Sequence, residues 1–202
     1  MCVRIPHANG SQTLMAVDSS AVGVASAVMT AFTPGMLVAI AAPERSAVAL
    51  VARINAGLHG RLAPGRHLAL WVAQLSGNGE LSYCNAGMAP PLWVPADDNA
   101  PRPLDTGGPV AGPLPQADYR EETLRLLPGD LVVVVSNGVL LARDGTGACF
   151  GAARLTELVT ELRWQPLDRL TRAVCEAARS FGGRPVPTDD LSVFAFRYAP
   201  GD

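Results

Sequence analysis

The chain has 202 residues, of which 49% are hydrophobic, 17% charged and 5% aromatic, so it is long enough for one domain with a substantial core and too apolar for a disordered tail. Its 16 basic residues, all arginine, face 18 acids and leave a formal charge of −2 and a pI near 5.9, which gives no electrostatic footprint for nucleic acid or an anionic membrane. Twenty Gly and 17 Pro are spread along the chain without a low-complexity tract and point to a mixed α and β fold with many turns rather than a helical bundle.

In chain order, residues 3–7 and 12–17 flank Ala8-Asn9-Gly10-Ser11. Asn-Gly tolerates positive φ at both positions, so the chain is expected to open with a β-hairpin. Met1 to Gly10 lacks an apolar h-region and does not read as a secretory signal. Ser19 to Pro43 carries no charge and is long enough to span a bilayer, but its Ala, Gly, Ser and Thr content and its central Pro34-Gly35 favour a buried core helix over a membrane span. A second helix is expected from Pro43 to about Leu58, with Val48, Val51, Ile54 and Leu58 along one face.

From His67 the pattern becomes strand-like. His67 to Leu75 and Leu81 to Asn85 form a second hairpin across Ser76-Gly77-Asn78-Gly79, Leu92 to Val94 is a further strand, and Ala96 to Pro115 reads as loops enclosing a short strand. Tyr119 to Leu126 alternates, Pro128-Gly129-Asp130 turns, and the apolar run Leu131 to Val135 is a central strand that ends at Ser136-Asn137-Gly138. Residues 151–163 and 167–180 are amphipathic helices stopped by Gly182-Gly183, and Leu191 to Tyr198 is the last strand. This order, without strict βα alternation, predicts one α+β domain over residues 1–202, with helices on antiparallel sheets.

The four cysteines, Cys2, Cys84, Cys149 and Cys175, form no C-x-x-C pair, which argues against a zinc ribbon and fits a reducing cytoplasm. His7, His59 and His67 lack metal-ligand spacing and read as structural or solvent-facing. Ser136 has no nucleophile elbow, Gly107-Gly108 and Gly112 precede no helix that would make a phosphate loop, and Trp71, Trp93 and Trp164 are expected in the core or at its edge. The informative positions are strand-end oxygens: Asp18, Asn137, and the pair Asp189 and Asp190. Such groups can converge on a hard divalent cation, while Asp18 as a helix cap and Asp189-Asp190 as a solvated turn are the structural alternative.

Several segments resemble a known family in order and spacing. Tyr83-Cys84-Asn85-Ala86-Gly87-Met88-Ala89-Pro90-Pro91-Leu92 is similar to the "Y-x-N-A-G-H-x-P-P-L" of the SpoIIE/RsbU branch of the PPM-type metal-dependent protein serine/threonine phosphatases. Leu127-Pro128-Gly129-Asp130-Leu131 resembles "L-x-P-G-D-x-L", Ser136-Asn137-Gly138-Val139 through Arg143 resembles "T-D-G-V-x-E-A-R", Phe150-Gly151 matches "F-G", and Thr188-Asp189-Asp190-Leu191-Ser192 resembles "x-D-D-I-T". Val17-Asp18-Ser19-Ser20-Ala21-Val22-Gly23-Val24 is similar to a loosened "G-D-V-S-G-H-G-V", with Asn55 at the family's "L-N".

The resemblance implies a β-sandwich of two antiparallel sheets flanked by helical pairs. It also implies hydrolysis of phosphoserine or phosphothreonine by water activated between Mg²⁺ or Mn²⁺ ions. By position, Asp18 would be the bridging carboxylate, the Ser19 carbonyl a backbone ligand, Asp189 a ligand of the first ion, Asn137 a ligand position, and Gly138 and Asp190 supports. Two departures stand out. Asn137 replaces the "T-D-G" aspartate, and Met1 to Arg4, where the first acidic motif should fall, contains no acid. Two divalent ions bring more charge than the surviving carboxylates balance, so the expectations are a phosphatase with a degenerate site or an inactive relative that binds a partner. The implied partner is a phosphorylated anti-sigma-factor antagonist in a bacterial cytoplasm.

Overall fold

The computed structural model describes residues 1–19, 24–42, 46–97, 99–182 and 190–200, with only the backbone of 24–30. Pro43, Gly183 and Asp189 lie outside the described residues. The first half runs β1 (Cys2–Pro6), β2 (Gln12–Ser19), α1 (Val24–Ile40), α2 (Ala47–Leu58), β3 (Leu68–Leu75), β4 (Glu80–Ala86), β5 (Leu92–Val94), β6 (Arg102–Pro103) and β7 (Gly107–Gly108). It continues with β8 (Glu122–Arg125), β9 (Leu131–Val135), α3 (Asn137–Leu140), α4 (Gly151–Glu161), α5 (Leu167–Gly182) and β10 (Val193–Arg197). The chain is α+β, with two sheets. It divides into two compact units, Met1–Met88 with Asp105–Leu126 and Pro200–Asp202, and Ala89–Leu104 with Leu127–Ala199.

In the first unit the strands run β1-β2-β3-β4, with β7 and β8 both pairing β4. The opening hairpin forms as its sequence dictates: Gly10 sits at φ 80°, Asn9 Oδ1 accepts from Ser11 N at 3.1 Å, and Pro6 faces Gln12. The second hairpin closes likewise, with Leu75 opposite Leu81. The described pairings are antiparallel except β4 with β7, where Asn85 faces Gly107 in parallel, together with one parallel bridge, Leu70 to Gly87. A Cβ at Gly107 would overlap the Asn85 carbonyl. This glycine pair therefore closes a sheet edge, which agrees with the reading that it is not a phosphate loop.

Helices α1 and α2 cover one face of this sheet. Met15, Val17, Leu70, Val72 and Cys84 pack with Leu37, Leu50, Ile54 and Leu58, and each such large apolar side chain contributes about 1.5–3 kcal/mol on burial. Two expectations need correction. The second helix starts at Ala47, because Ser46 takes the cap and its side chain accepts from Ala49 N. Over its described side chains, residues 31–40, the uncharged first helix is buried on one face alone: Phe32 is 52% and Val38 61% exposed, while Thr33 and Leu37 turn inward. The helix also runs on through Pro34, which forgoes one i to i−4 bond rather than ending it.

The second unit orders its strands β10-β9-β5-β6, all antiparallel. The leucine and four consecutive valines of β9 are buried throughout. Val133 and Val135 pack with Leu155, Val159, Leu170, Val174 and Ala178 of the two amphipathic helices. Trp71 is wholly buried in the first unit, but Trp164, expected in the core or at its edge, is 60% exposed. It lies in the turn between α4 and α5, where the Arg197 guanidinium bonds the carbonyls of Arg163 and Gln165. That loop is held by its backbone, so the indole is not needed to anchor it. Among the described residues no helix is long and apolar enough to cross a membrane.

Candidate functional site

Asp18 lies at the end of β2, paired with Ala69 of β3. The strand is buried from Thr13 to Val17 and emerges at Asp18 and Ser19, both half-buried. No hydrogen bond or ion pair ties the Asp18 carboxylate to another described residue, so its oxygens are open for a ligand. The neighbouring strand β1 offers Cys2, Val3, Arg4, Ile5 and Pro6. It places no second carboxylate beside β2.

In the second unit, β9 ends at Val135 and the chain turns at Ser136 into the single turn α3, which Asn137 opens. Asn137 is half-buried and Gly138 buried. The Asn137 backbone carbonyl accepts from Leu141 N at 2.9 Å, while its side-chain amide has no hydrogen bond to another described residue. Asp190 is exposed, and its carbonyl accepts from Ser136 Oγ at 2.7 Å. Asp189 is outside the described residues, so its side chain enters no geometric statement.

Other residues of the family-like segments build scaffold. Asn85 is buried, accepting from Met88 N at 2.8 Å and donating from Nδ2 to Met88 O at 3.1 Å, which locks the turn containing Gly87. Asp130 is 1% exposed; it accepts from Ala96 N at 2.7 Å, Trp93 Nε1 at 3.0 Å and Leu127 N at 3.0 Å. Asn55 holds a distant loop to α2 by accepting from Gly112 N at 2.8 Å and donating to Leu114 O at 3.0 Å. His59 bonds Gly112 O through Nδ1 at 3.0 Å and His7 bonds Thr13 Oγ1 at 2.8 Å, the structural roles expected of them.

Sequence reasoning missed a half-buried acid, Glu122. Its Oε2 accepts from Tyr83 Oη at 2.7 Å and Thr106 Oγ1 at 2.6 Å. Burial foremost, and then this carboxylate, push the Tyr83 phenol up to about 12. The only sequence signal was an acid in an alternating strand, which does not separate an inner from an outer carboxylate.

The donor chemistry bears on a metal. A carboxylate and an amide oxygen are the hard ligands that Mg²⁺ and Mn²⁺ take, and both Asp18 and Asn137 are unpartnered within the described protein. Yet among the described residues no three His, Cys, Asp or Glu side chains gather into a metal-binding group. Each of these oxygens, taken in its own unit, is of the kind a hard divalent ion takes.

This two-sheet α+β chain with helical pairs has the fold of PP2C, or PPM, phosphatase domains. The chain belongs to the SpoIIE family, described as Stage II sporulation protein E, whose match runs over residues 9–199. It is 33% identical over 102 residues to Protein IcfG of Synechocystis sp., a match that spans 50% of this chain and 16% of that protein. The SiaA-PP2C domain of Pseudomonas aeruginosa superposes with a TM-score of 0.83 at 20% identity, over 98% of this chain and 80% of that one. The RsbU and RsbW domains of Rv1364c from Mycobacterium tuberculosis give 0.78 at 24% identity, over 100% of this chain and 57% of that one. At these identities the superpositions establish a shared fold.

Proposed function

We propose that this chain is a metal-dependent protein serine/threonine phosphatase domain that removes phosphate from phosphoserine or phosphothreonine of a regulatory protein, working with a depleted metal centre. The observation that carries the reading is the Asp18 carboxylate, set at a strand end and left without a partner among the described residues. Asp18 and Asp189 are the anionic ligands, the Ser19 carbonyl and Asn137 Oδ1 the neutral ones, and Gly138 and Asp190 support them. A bound Mn²⁺ or Mg²⁺ supplies a water of lowered pKa and neutralises charge on the phosphoryl oxygens. Asn137 keeps an oxygen acceptor where the family motif has an aspartate but removes one negative charge. Two carboxylates match the charge of one divalent ion; a second ion would be uncompensated, so the centre holds one, weakly.

The regulatory protein is of the anti-sigma-factor-antagonist type. The family supports this, as does the similarity to Rv1364c, whose structure contains RsbU and RsbW domains. A cytoplasmic setting is supported by four free thiols, at Cys2, Cys84, Cys149 and Cys175. A second reading, a catalytically inactive relative that binds the same kind of phosphoprotein, draws on Asn137 and the acid-free strand β1.

Calorimetric titration with Mn²⁺, followed in the same sample by turnover of p-nitrophenyl phosphate, separates the two readings. Binding with turnover is expected. No binding at millimolar Mn²⁺ would sink the enzymatic reading and leave recognition as the function. Asp18→Ala is expected to abolish the binding isotherm, and a retained isotherm would move the ion to other ligands.

A further inference from the structure

Side chains of α2 hold the loop that begins at Gly112. Asn55, 2% exposed, accepts from Gly112 N at 2.8 Å and donates to Leu114 O at 3.0 Å; one turn on, His59 Nδ1 donates to Gly112 O at 3.0 Å. Gly112 itself sits at φ 106°, with Leu62 so close that a Cβ there would overlap it. Pro113 and Pro115 have no N–H to offer, so the loop spends its backbone inward and turns a mainly apolar side outward: both prolines are exposed and Leu114 is 47% exposed. A single exposed leucine is ordinary. One whose backbone is fixed from a helix is preorganised, which lowers the entropy lost when a partner docks on it.

The charge beside this loop has one sign. The segment from α2 to β3 runs alongside it, with Leu68 and Ala111 exchanging backbone bonds at 3.0 and 2.8 Å. Between Gly57 and Gly79 the charged residues are Arg61 and Arg66, both exposed, and Thr106 to Ala117 has none. The acids that bound the second stretch, Asp105 and Asp118, fall beside β7, where the Asp118 carbonyl lies against Gly108. On a chain of net charge −2, this is a local cationic surface around an apolar knob. We propose that Leu114 and its two flanking prolines, with Arg61 and Arg66, form a docking surface for an acidic segment of a partner protein that carries a large apolar side chain. Charge complementarity selects that occupant. A second copy docked by a two-fold contact would bring the same cations to face themselves, and two guanidinium groups are too few to hold a nucleic-acid backbone. The proposal stands apart from the phosphatase reading and holds whether or not the chain binds a metal.

The test uses the full chain without added metal, so that its outcome is separate from that of the Mn²⁺ titration. Fluorescein-labelled peptides are compared by anisotropy at low salt: Glu-Asp-Glu-Leu-Phe-Asp-Glu-Asp, the same peptide with Ala-Ala for Leu-Phe, and the same with Gln at every acid. The first is expected to bind about tenfold more tightly than either of the others. Leu114→Ala should weaken it about tenfold, as truncation of a buried anchor does. Arg61→Gln with Arg66→Gln should weaken it about fivefold and flatten its salt dependence. Melting temperatures should stay within about 2 °C of wild type, because all three side chains are exposed. No binding of the first peptide at millimolar concentration, equal affinity for the three peptides, or an unchanged affinity in Leu114→Ala overturns the proposal. Sedimentation that finds a dimer dispersed by Leu114→Asp would assign the surface to a second copy and overturn it as well. So would displacement of the peptide by phosphatidylglycerol vesicles, which would assign the surface to a membrane.

Discussion

Two aspartates from family-like segments sit in opposite circumstances. At the corner between Leu127 and Asp130, the Asp130 carboxylate is 1% exposed and spends its oxygens on three donors, Trp93 Nε1, Ala96 N and Leu127 N. At the end of β2, Asp18 is half-buried and its carboxylate binds no described residue. A carboxylate that the fold has saturated ties strands and turns together, and one that the fold has left open is available for an ion or a substrate. The presence of an aspartate in a family motif therefore does not mark it as part of the site; its unspent hydrogen-bonding capacity does.

The largest effect is expected where the contrast is sharpest. Asp130→Ala strands a tryptophan N–H and two backbone N–H groups in a buried corner, and bonds to a charged acceptor contribute about 1.5–3 kcal/mol each. A loss of about 3 kcal/mol or more of unfolding free energy is expected in urea titration. Asp18→Ala, by contrast, should change stability by no more than about 0.5 kcal/mol, as is usual where a substitution removes no such ties. If the two variants lost similar stability, the distinction between a saturated and an open carboxylate would collapse.

Next in size is the change that tries to convert one region toward the other. Asn137→Asp adds a negative charge at the head of α3, where the amide has no described partner. Cation affinity follows ligand charge, so Mn²⁺ binding should tighten at least tenfold, about 1.4 kcal/mol, with turnover of p-nitrophenyl phosphate rising alongside. Calorimetry that shows no gain would remove Asn137 from the ion's surroundings.

How far the sequence disclosed this follows from how local each signal is. Asn9-Gly10 and Asn78-Gly79 fixed two hairpins, the apolar run at 131–135 fixed a central strand, and the periodicity of 151–163 and 167–180 fixed two helices, because each depends on neighbours in the chain. Asp18 and Asn137 were read first as strand-end oxygens and given metal roles by the motif resemblance, and the described structure finds both at element ends. The scaffold roles of Asn55, Asn85, Asp130 and Ser136 were not legible. Asn55 needs a loop at Gly112, Asp130 needs Trp93 and Ala96, and Ser136 needs Asp190 and Ser192, and no spacing rule announces partners that far away. The exposure of Trp164 and of the outer face of α1 was hidden for a related reason. Apolar composition tells that a residue can be buried, and only the packing decides that it is.

Glu122 is half-buried and accepts from Tyr83 Oη and Thr106 Oγ1, and it supplies the smallest and most graded test. Burial first, and then the hydrogen bond to Glu122, raise the Tyr83 phenol from 10.0 to about 12. The folded state therefore holds this proton more tightly than the unfolded chain. The resulting stability is complete below pH 10 and is lost as pH climbs toward 12. Tyr119 and Cys84 are raised in the same direction, mainly by burial, so urea midpoints should fall steadily above about pH 9. Tyr83→Phe removes one donor from Glu122 and should cost about 1 kcal/mol at pH 7. It should also make the alkaline decline shallower, because one of the titrating groups is gone. An equally steep decline in that variant would mean that Tyr83 does not carry the alkaline loss, and that Glu122 is no nearer to saturation than Asp18.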